Sequence, residues 1–394
     1  MGSLVHIELR HDVKENVLLL QGPVGYFFDK LRTILHRAGA QNIVKVNYNL
    51  ADGFFYKTGI IEEFNQPMHH LPIFYQGLLE KYKIEAIYLF GDCRPIHKMA
   101  IDVFKAFGVD IYVFEEGYLR PNFITLEKGG VNGNSLMPKT LVPMRDIAPS
   151  EKKGHYKQIG YGSFKKMMSF AIIYFSLIYL GKKKFPFYKH HKPVCFYDAL
   201  CWFISYIRKP FYRIADRSVQ QNLVKKYHKQ YFFVPLQLYN DAQVTSHSNY
   251  SDVLDFLEDI LVSFARYAPD NKHLVIKHHP FDRGHRQYKS FIKKRSKALG
   301  IEKRVYYLHE VNVAKFLRHA CGTVVINSTV GLSSLLHNTP VKVMGLACYD
   351  IQGLTYQGCL SNFWTSPGKV NEENYHIFRN YILQTIQIEG SFYG

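Results

Sequence analysis

The sequence is poor in acidic residues and in paired cysteines, and it lacks most of the short motifs that mark common enzyme classes. Lys and Arg number 50 against 32 Asp and Glu, a formal net charge of +18. That imbalance favours an anionic partner: a nucleic acid, a phosphorylated small molecule or an acidic lipid surface. The six cysteines (Cys93, Cys195, Cys201, Cys321, Cys348 and Cys359) show no CxxC spacing. A zinc or redox motif is therefore not expected, and reduced cytosolic thiols are. There is no GxxxxGK[ST] loop, no GxGxxG, no GxSxG and no HExxH. These absences disfavour a P-loop ATPase or kinase, a dinucleotide oxidoreductase, a nucleophile-elbow hydrolase and a zinc protease. The opening MGSLVHIELRHDVKENV has no long apolar core, so no secretory signal is expected. The apolar run 167–180 falls short of the ~20 residues that span a bilayer, which points to a buried or interfacial helix. No internal repeat or low-complexity tract occurs.

What remains is ample material for globular cores. Hydrophobic residues make up 47% of the 394, with 29 Phe and 29 Tyr. At about 150 residues per domain, two domains are expected. In the first part, apolar runs at 17–20, 43–47, 86–90 and 110–114 alternate with helical patterns at 26–39, 72–82 and 97–107. That alternation predicts βαβ units and a parallel sheet. A second series begins near Tyr231, with strands at 232–236, 273–276, 305–308, 323–326 and 341–344. Its helices are expected to run from a Ser251-Asp252 cap to Tyr267, over 310–319, from the 323–326 strand to about Asn338, and over 374–387. Between the two series, residues 152–226 crowd Lys and Arg and carry almost no acid. The expected domains are thus 1–150, a basic aromatic helical segment 151–230 facing a membrane, and 231–394, the last helix packing back on the first domain.

In parallel sheets ligands bind beyond the carboxyl ends of the strands, and the chemistry-bearing residues lie there. Gln21-Gly22 follows the first strand and Asp92 and Arg94 the 86–90 strand; Glu115, Glu116 and Arg120 follow the next. Paired carboxylates suit glycosyl transfer, one as nucleophile or charge stabiliser and one as acid/base, while Arg94 and Arg120 can grip a carboxylate or phosphate. An Arg–carboxylate network that merely closes the loops is the plainer alternative. In the second series, Lys277-His278-His279-Pro280 and Asn327-Ser328-Thr329, with Ser333 four residues on, stand at strand ends that open into turns or helices. Such ends offer N–H donors and positive partial charge to a phosphate, although Asn327 or Ser328 could equally be ordinary caps. Adjacent histidines on an extended chain point apart, so no shared metal is expected. The aromatics lie in apolar runs rather than in an RNA-binding motif, so no nucleic acid is expected either.

The strings LLLQGPVGYFFDKL, KVNYNLAD, YLFGDCRPIH, VFEEGYLRPNFITLEKGGVNG, KHHP and INSTVGLSSLLHNTPVKVMG together resemble the capsule polysaccharide biosynthesis/export proteins of the KpsS/LipB family, from about Val17 to Thr355. The resemblance implies a GT-B-like fold, two Rossmann-like domains facing across a cleft, here with a basic helical insert. It implies a retaining β-Kdo transferase that moves Kdo (3-deoxy-D-manno-oct-2-ulosonic acid) from CMP-β-Kdo to a phosphatidylglycerol-type lipid. That step initiates the poly-Kdo linker of bacterial capsule polysaccharide, without a metal or other cofactor. Implied surroundings are the inner face of the cytoplasmic membrane of a Gram-negative cell, peripherally bound, with other capsule assembly proteins as partners. His279, Pro280, Asn327, Ser328, Thr329 and Ser333 resemble the motifs that hold CMP in CMP-sugar transferases. Related oligo-Kdo extending enzymes carry Asp where this chain has Glu116, which leaves the nucleophile open among Glu116, Glu115 and Asp92. A non-enzymatic export or scaffold protein that binds the glycolipid is the alternative.

Overall fold

A computed structural model describes residues 8–147, 161–190 and 196–393. Residues 1–7, the basic stretches 151–160 and 191–195, and with them Cys195, lie outside the described residues. Twelve strands occur among the described residues: β1 (Asn16–Leu19), β2 (Asn42–Asn47), β3 (Ile60–Glu63), β4 (Ala86–Phe90), β5 (Asp110–Glu116), β6 (Phe123–Lys128), β7 (Tyr231–Pro235), β8 (His273–Lys277), β9 (Val305–Leu308), β10 (Gly322–Val325), β11 (Val341–Val343) and β12 (Gln387–Glu389).

The chain divides into two compact α/β units, but not at the boundaries expected from sequence. The first unit takes residues 8–136, 161–190 and 382–393; the second takes 137–147 and 196–381. The basic middle is therefore not a domain of its own. Its first half packs with the first unit and its second half with the second. The chain returns to the first unit in the last turn of its final helix, Glu372–Thr385, and continues into β12, which pairs antiparallel with β6.

The first unit is built on a seven-stranded sheet in the order β12-β6-β5-β4-β1-β2-β3. Pairing is parallel from β5 through β3, while β6 and β12 are antiparallel additions. Both faces are covered, which is why the strands read as almost unbroken apolar runs. Leu18, Val44, Ile87 and Val113 fill one layer, and Val17, Ile43, Tyr88 and Phe114 the other. Burying each such aliphatic side chain contributes roughly 1.5–3 kcal/mol.

The second unit has a five-stranded, wholly parallel sheet in the order β11-β10-β7-β8-β9. Its helix Val253–Tyr267 starts where the sequence placed it. Asp252 caps it, and Asp255 reaches back to the cap's backbone.

The apolar run 167–180 lies within a longer helix, Tyr161–Leu180. The stretch Ser163–Lys183 is long and apolar enough to cross a membrane by length and composition, because the helix extends back through Lys165 and Lys166. One side of the helix is nonetheless packed, as the reading of the run as a buried helix expects. In the structure, Tyr174 and Ile178 bury against Ala51 and Phe55, with Phe170 packed beside them. Phe170 also packs on Gly25 (φ +113°), where a Cβ would lie 2.6 Å from the Phe170 ring.

Candidate active site

Each sheet reverses its winding once, and the polar residues collect there. In the first unit the reversal falls between β1 and β4, the place where open α/β sheets bind ligands. Gln21 and Gly22 leave β1; Gly91, Asp92 and Arg94 leave β4. Arg94 bridges the two ends: its Nη1 donates to Gln21 Oε1 (3.0 Å) and to the Gly22 carbonyl (3.3 Å). Its guanidinium carbon lies 5.1 Å from the centre of the Phe90 ring.

Gln21 is 1% exposed. Its Nε2 lies 3.2 Å from Asp52 Oδ2, 3.1 Å from the Tyr174 hydroxyl and 3.0 Å from the Tyr188 hydroxyl. Gln21 is thus a hub that holds Arg94 in place rather than a side chain turned toward a ligand. Asp52 also accepts from the Tyr48 amide (3.0 Å) and Asn49 Nδ2 (3.1 Å). Sequence reasoning missed Asn49, Asp52, Tyr174 and Tyr188. The Asn-x-x-Asp spacing of Asn49 and Asp52 was the available signal, since the Asn49 side chain caps the helix Leu50–Phe55 by accepting from the Asp52 amide.

The three expected carboxylates do not act alike. Asp92 is buried and accepts hydrogen bonds from Cys93 Sγ on Oδ1 (3.3 Å), and from the Val131 amide (3.0 Å) and Asn134 Nδ2 (3.1 Å) on Oδ2. It ties the loop after β4 to the loop after β6. Glu115 and Glu116 are neighbours in the β5–β6 ladder, so they leave the sheet on opposite faces. Glu115 lies on the Val113 side. Its Oε1 accepts from the Glu116 amide (2.9 Å), and Oε2 stands beside Gly91, where a Cβ would be 3.8 Å away. Glu116 lies on the Phe114 side. Burial raises its pKa above the usual carboxylate range, with the Arg120 charge opposing. Arg120 is exposed, and its Nε donates to the Gly117 carbonyl (3.2 Å).

In the second unit the winding reverses between β7 and β10. Gln237, just past β7, meets Asn327, just past β10, in two hydrogen bonds: Gln237 Nε2 to Asn327 Oδ1 (2.9 Å) and the Asn327 amide to Gln237 Oε1 (3.2 Å). Asn327 Nδ2 also donates to the carbonyls of Gln243 (2.8 Å) and His247 (3.2 Å). Asn327 thus fixes the crevice wall, and Gln237, unnoticed in the sequence, is its partner. Ser328 Oγ accepts from the Val330 amide (3.3 Å). Ser328 and Thr329 are partly exposed at the start of the helix Val330–Leu336, and Ser333 is exposed on its second turn.

The β8 end divides its residues between inside and outside. His279 caps the short turn Pro280–Asp282, its Nδ1 accepting from the Phe281 amide (3.3 Å). That bond places the neutral ring's proton on Nε2. Lys277 turns inward: its ammonium donates to the His278 carbonyl (2.8 Å), and burial pushes its pKa down to about 8, with Glu310 opposing. His278 is wholly buried, its Nδ1 2.6 Å from the Tyr307 hydroxyl, and burial pushes its pKa down to about 4. Asp282, also buried, accepts from the Tyr239 amide (3.0 Å), and burial pushes its pKa up to about 7.

The chain matches the family model described as capsule polysaccharide biosynthesis protein over residues 85–393. It is 41% identical to the capsule polysaccharide export protein KpsS of Escherichia coli, with 95% of this chain and 96% of the relative covered. It is 39% identical to the capsule polysaccharide modification protein LipB of Neisseria meningitidis serogroup B, covering 96% of this chain and 92% of the relative. Among solved structures, it matches the β-Kdo 2,7 transferase of Thermosulfurimonas dismutans KpsC at 15% identity and a TM-score of 0.41, over 86% of this chain and 89% of that one.

Proposed function

The chain belongs to the capsule polysaccharide biosynthesis protein family, and on that premise we propose that it is a retaining β-Kdo glycosyltransferase of the GT-B class. Its donor is CMP-β-Kdo and its acceptor a phosphatidylglycerol-type lipid, so that it lays down the first sugar of the poly-Kdo linker. It works on the cytoplasmic side, bound peripherally to the inner membrane. The observation that carries the reading is the Arg94 bridge from β4 to Gln21 and Gly22, which fixes a cation at the first unit's switch point, in the same loop whose Gly91 has Glu115 Oε2 beside it.

The chemistry divides as follows. The second unit holds the cytidylate: His279 Nε2–H and the backbone donors of Ser328 and Thr329 meet the phosphate, while Asn327 holds the wall behind them. Lys277, buried as it is, adds positive potential rather than a direct contact. With these donors in place, no metal is required for the leaving group. Arg94, with Arg120, pairs with the Kdo carboxylate. Glu115 attacks the anomeric carbon as the bond to the phosphate oxygen breaks and its electron pair leaves with CMP. Glu116, whose pKa burial raises against the opposing Arg120 charge, takes the proton of the acceptor hydroxyl as that oxygen displaces Glu115. Two displacements at one carbon retain the configuration. Asp92, saturated by its loop donors, anchors the site without entering the chemistry.

The test is incubation with CMP-Kdo generated in situ and a fluorescent phosphatidylglycerol analogue, followed by mass spectrometry. A product carrying one Kdo, with CMP released, is the expected result. The export name of the Escherichia coli relative favours a second reading, a scaffold that binds the glycolipid. Lipid binding with no CMP release would select it.

A further inference from the structure

The helix Phe196–Lys226 carries an arrangement that neither the family nor the proposed chemistry accounts for. At 100° per residue, Phe203, Ile207, Pro210 and Ile214 fall on one stripe, flanked by Tyr206 and Phe211. All are exposed: Phe203 is 62%, Tyr206 79% and Ile214 74% accessible. The two acids of this helix, Asp198 and Asp216, are both engaged on the other side. Asp198 lies 3.4 Å from His285, and Asp216 accepts from the amides of His309 (2.7 Å) and Glu310 (2.8 Å). The exposed charges along the helix (Lys209, Arg213, Arg217, Lys225 and Lys226) are therefore all positive. An apolar stripe with an exclusively cationic border matches the interface of an anionic bilayer, where aromatic and aliphatic side chains enter the acyl boundary and Lys and Arg meet phosphate headgroups.

The opposite face grips the turn that follows β8. A Cβ on Gly284 would overlap the Cys201 carbonyl oxygen, so the turn's backbone rests directly on the helix. Arg208 Nη1 donates to the Arg283 carbonyl (2.7 Å), and Arg283 Nη1 to Ser205 Oγ (3.4 Å). Trp202 meets Phe281 edge to face, with ring centres 5.2 Å apart, and Tyr212 stacks on His309 at 3.7 Å. Phe281 is the residue whose amide fixes the His279 ring. One helix thus carries the exposed apolar stripe on its outside and the His279 turn on its inside.

We propose that docking of this stripe on an anionic lipid surface sets the His279 turn, so that the bilayer raises the protein's affinity for the cytidylate part of its donor. This rests on the assignment of His279 to the donor site. Linkage is reciprocal: the factor by which lipid tightens CMP binding is the factor by which CMP tightens lipid binding. The element that both ligands bias is the helix with its attached turn.

The test uses the full chain, CMP, and vesicles of phosphatidylcholine with or without phosphatidylglycerol. The protein should pellet with the anionic vesicles and bind CMP about fivefold or more tightly in their presence. The double variant Phe203→Ser/Ile214→Ser, altered only at exposed positions, should lose pelleting and the lipid effect yet bind CMP in solution as the parent does. Equal pelleting of variant and parent would overturn the docking face. Pelleting of the parent with no change in CMP affinity would overturn the coupling. A parent dimer that the substitutions make monomeric, without vesicle binding by either, would assign the stripe to a second copy and overturn the proposal. Absence of CMP binding under every condition would overturn the donor assignment and the coupling with it, while the pelleting arm would still judge the docking face by itself.

Discussion

Replacing Gln21 by Leu tests how the first unit prepares its site. Leu matches the volume but removes the donor facing Asp52 and Tyr188 and the acceptor facing Arg94. Asp52 keeps the Tyr48 amide, Asn49 Nδ2 and the Tyr174 hydroxyl, so it is depleted but not stranded. Arg94 keeps its weaker 3.3 Å bond to the Gly22 carbonyl and its place over the Phe90 ring. At about 1–3 kcal/mol for each buried polar group left short of a partner, two such groups imply a loss of about 2–6 kcal/mol. For a unit of this size each kcal/mol lowers the melting temperature by roughly 2–4 °C, so calorimetry should show a drop of roughly 4–24 °C. A loosened Arg94 should also lower kcat by about tenfold or more, equivalent to about 1.4 kcal/mol of lost transition-state contact. CMP affinity, which belongs to the second unit, should stay unchanged. A Gln21→Leu protein with parental melting temperature and turnover would refute the hub.

Two further substitutions probe the second unit. Asp282 has a folded pKa of about 7 against an ordinary 3.8, so the folded protein holds that proton more tightly than the unfolded chain. The stability this contributes is present at low pH and lost as pH rises through about 7. Asp282→Asn should therefore melt higher than the parent at pH 8, by the equivalent of on the order of 2–4 kcal/mol, with the gap closing toward pH 4. Equal melting at pH 8 would contradict a buried carboxylate there. His279→Ala should weaken CMP binding about 10–100-fold by calorimetry, the loss expected for a hydrogen bond to a charged group, with little change in melting temperature. Unchanged affinity would remove His279 from the donor site.

The parts of the fold legible in the sequence are those that local chemistry determines. β4 runs over the residues read from sequence because its five residues, Ala86–Phe90, are apolar and end at Gly91. Asp252 announces its helix by a cap. β3 escaped notice because it is a short edge strand whose Ile60 and Ile61 are both partly exposed, so no buried run marks it. β12 depends on β6, a partner distant in sequence, which no local pattern reveals. The unit boundaries were hidden for the same reason: the basic segment has one composition but two packing partners. At the site, sequence put Gln21, Arg94, Glu115 and Asn327 at strand ends, and they are there. It did not reveal that Gln21, Asp92 and Asn327 spend their hydrogen bonds on neighbouring loops, nor that Lys277 turns inward. That depends on which donors the fold brings within 3 Å or so, which spacing along the chain does not encode.

The central claim is that Glu115 and Glu116 perform the transfer. Turnover of CMP-Kdo by Glu115→Gln and Glu116→Gln, each checked for parental melting temperature and CMP affinity, tests it most directly. Each variant should lose activity by at least about a hundredfold, the scale of a lost nucleophile or acid/base group. Near-parental turnover in both would contradict it.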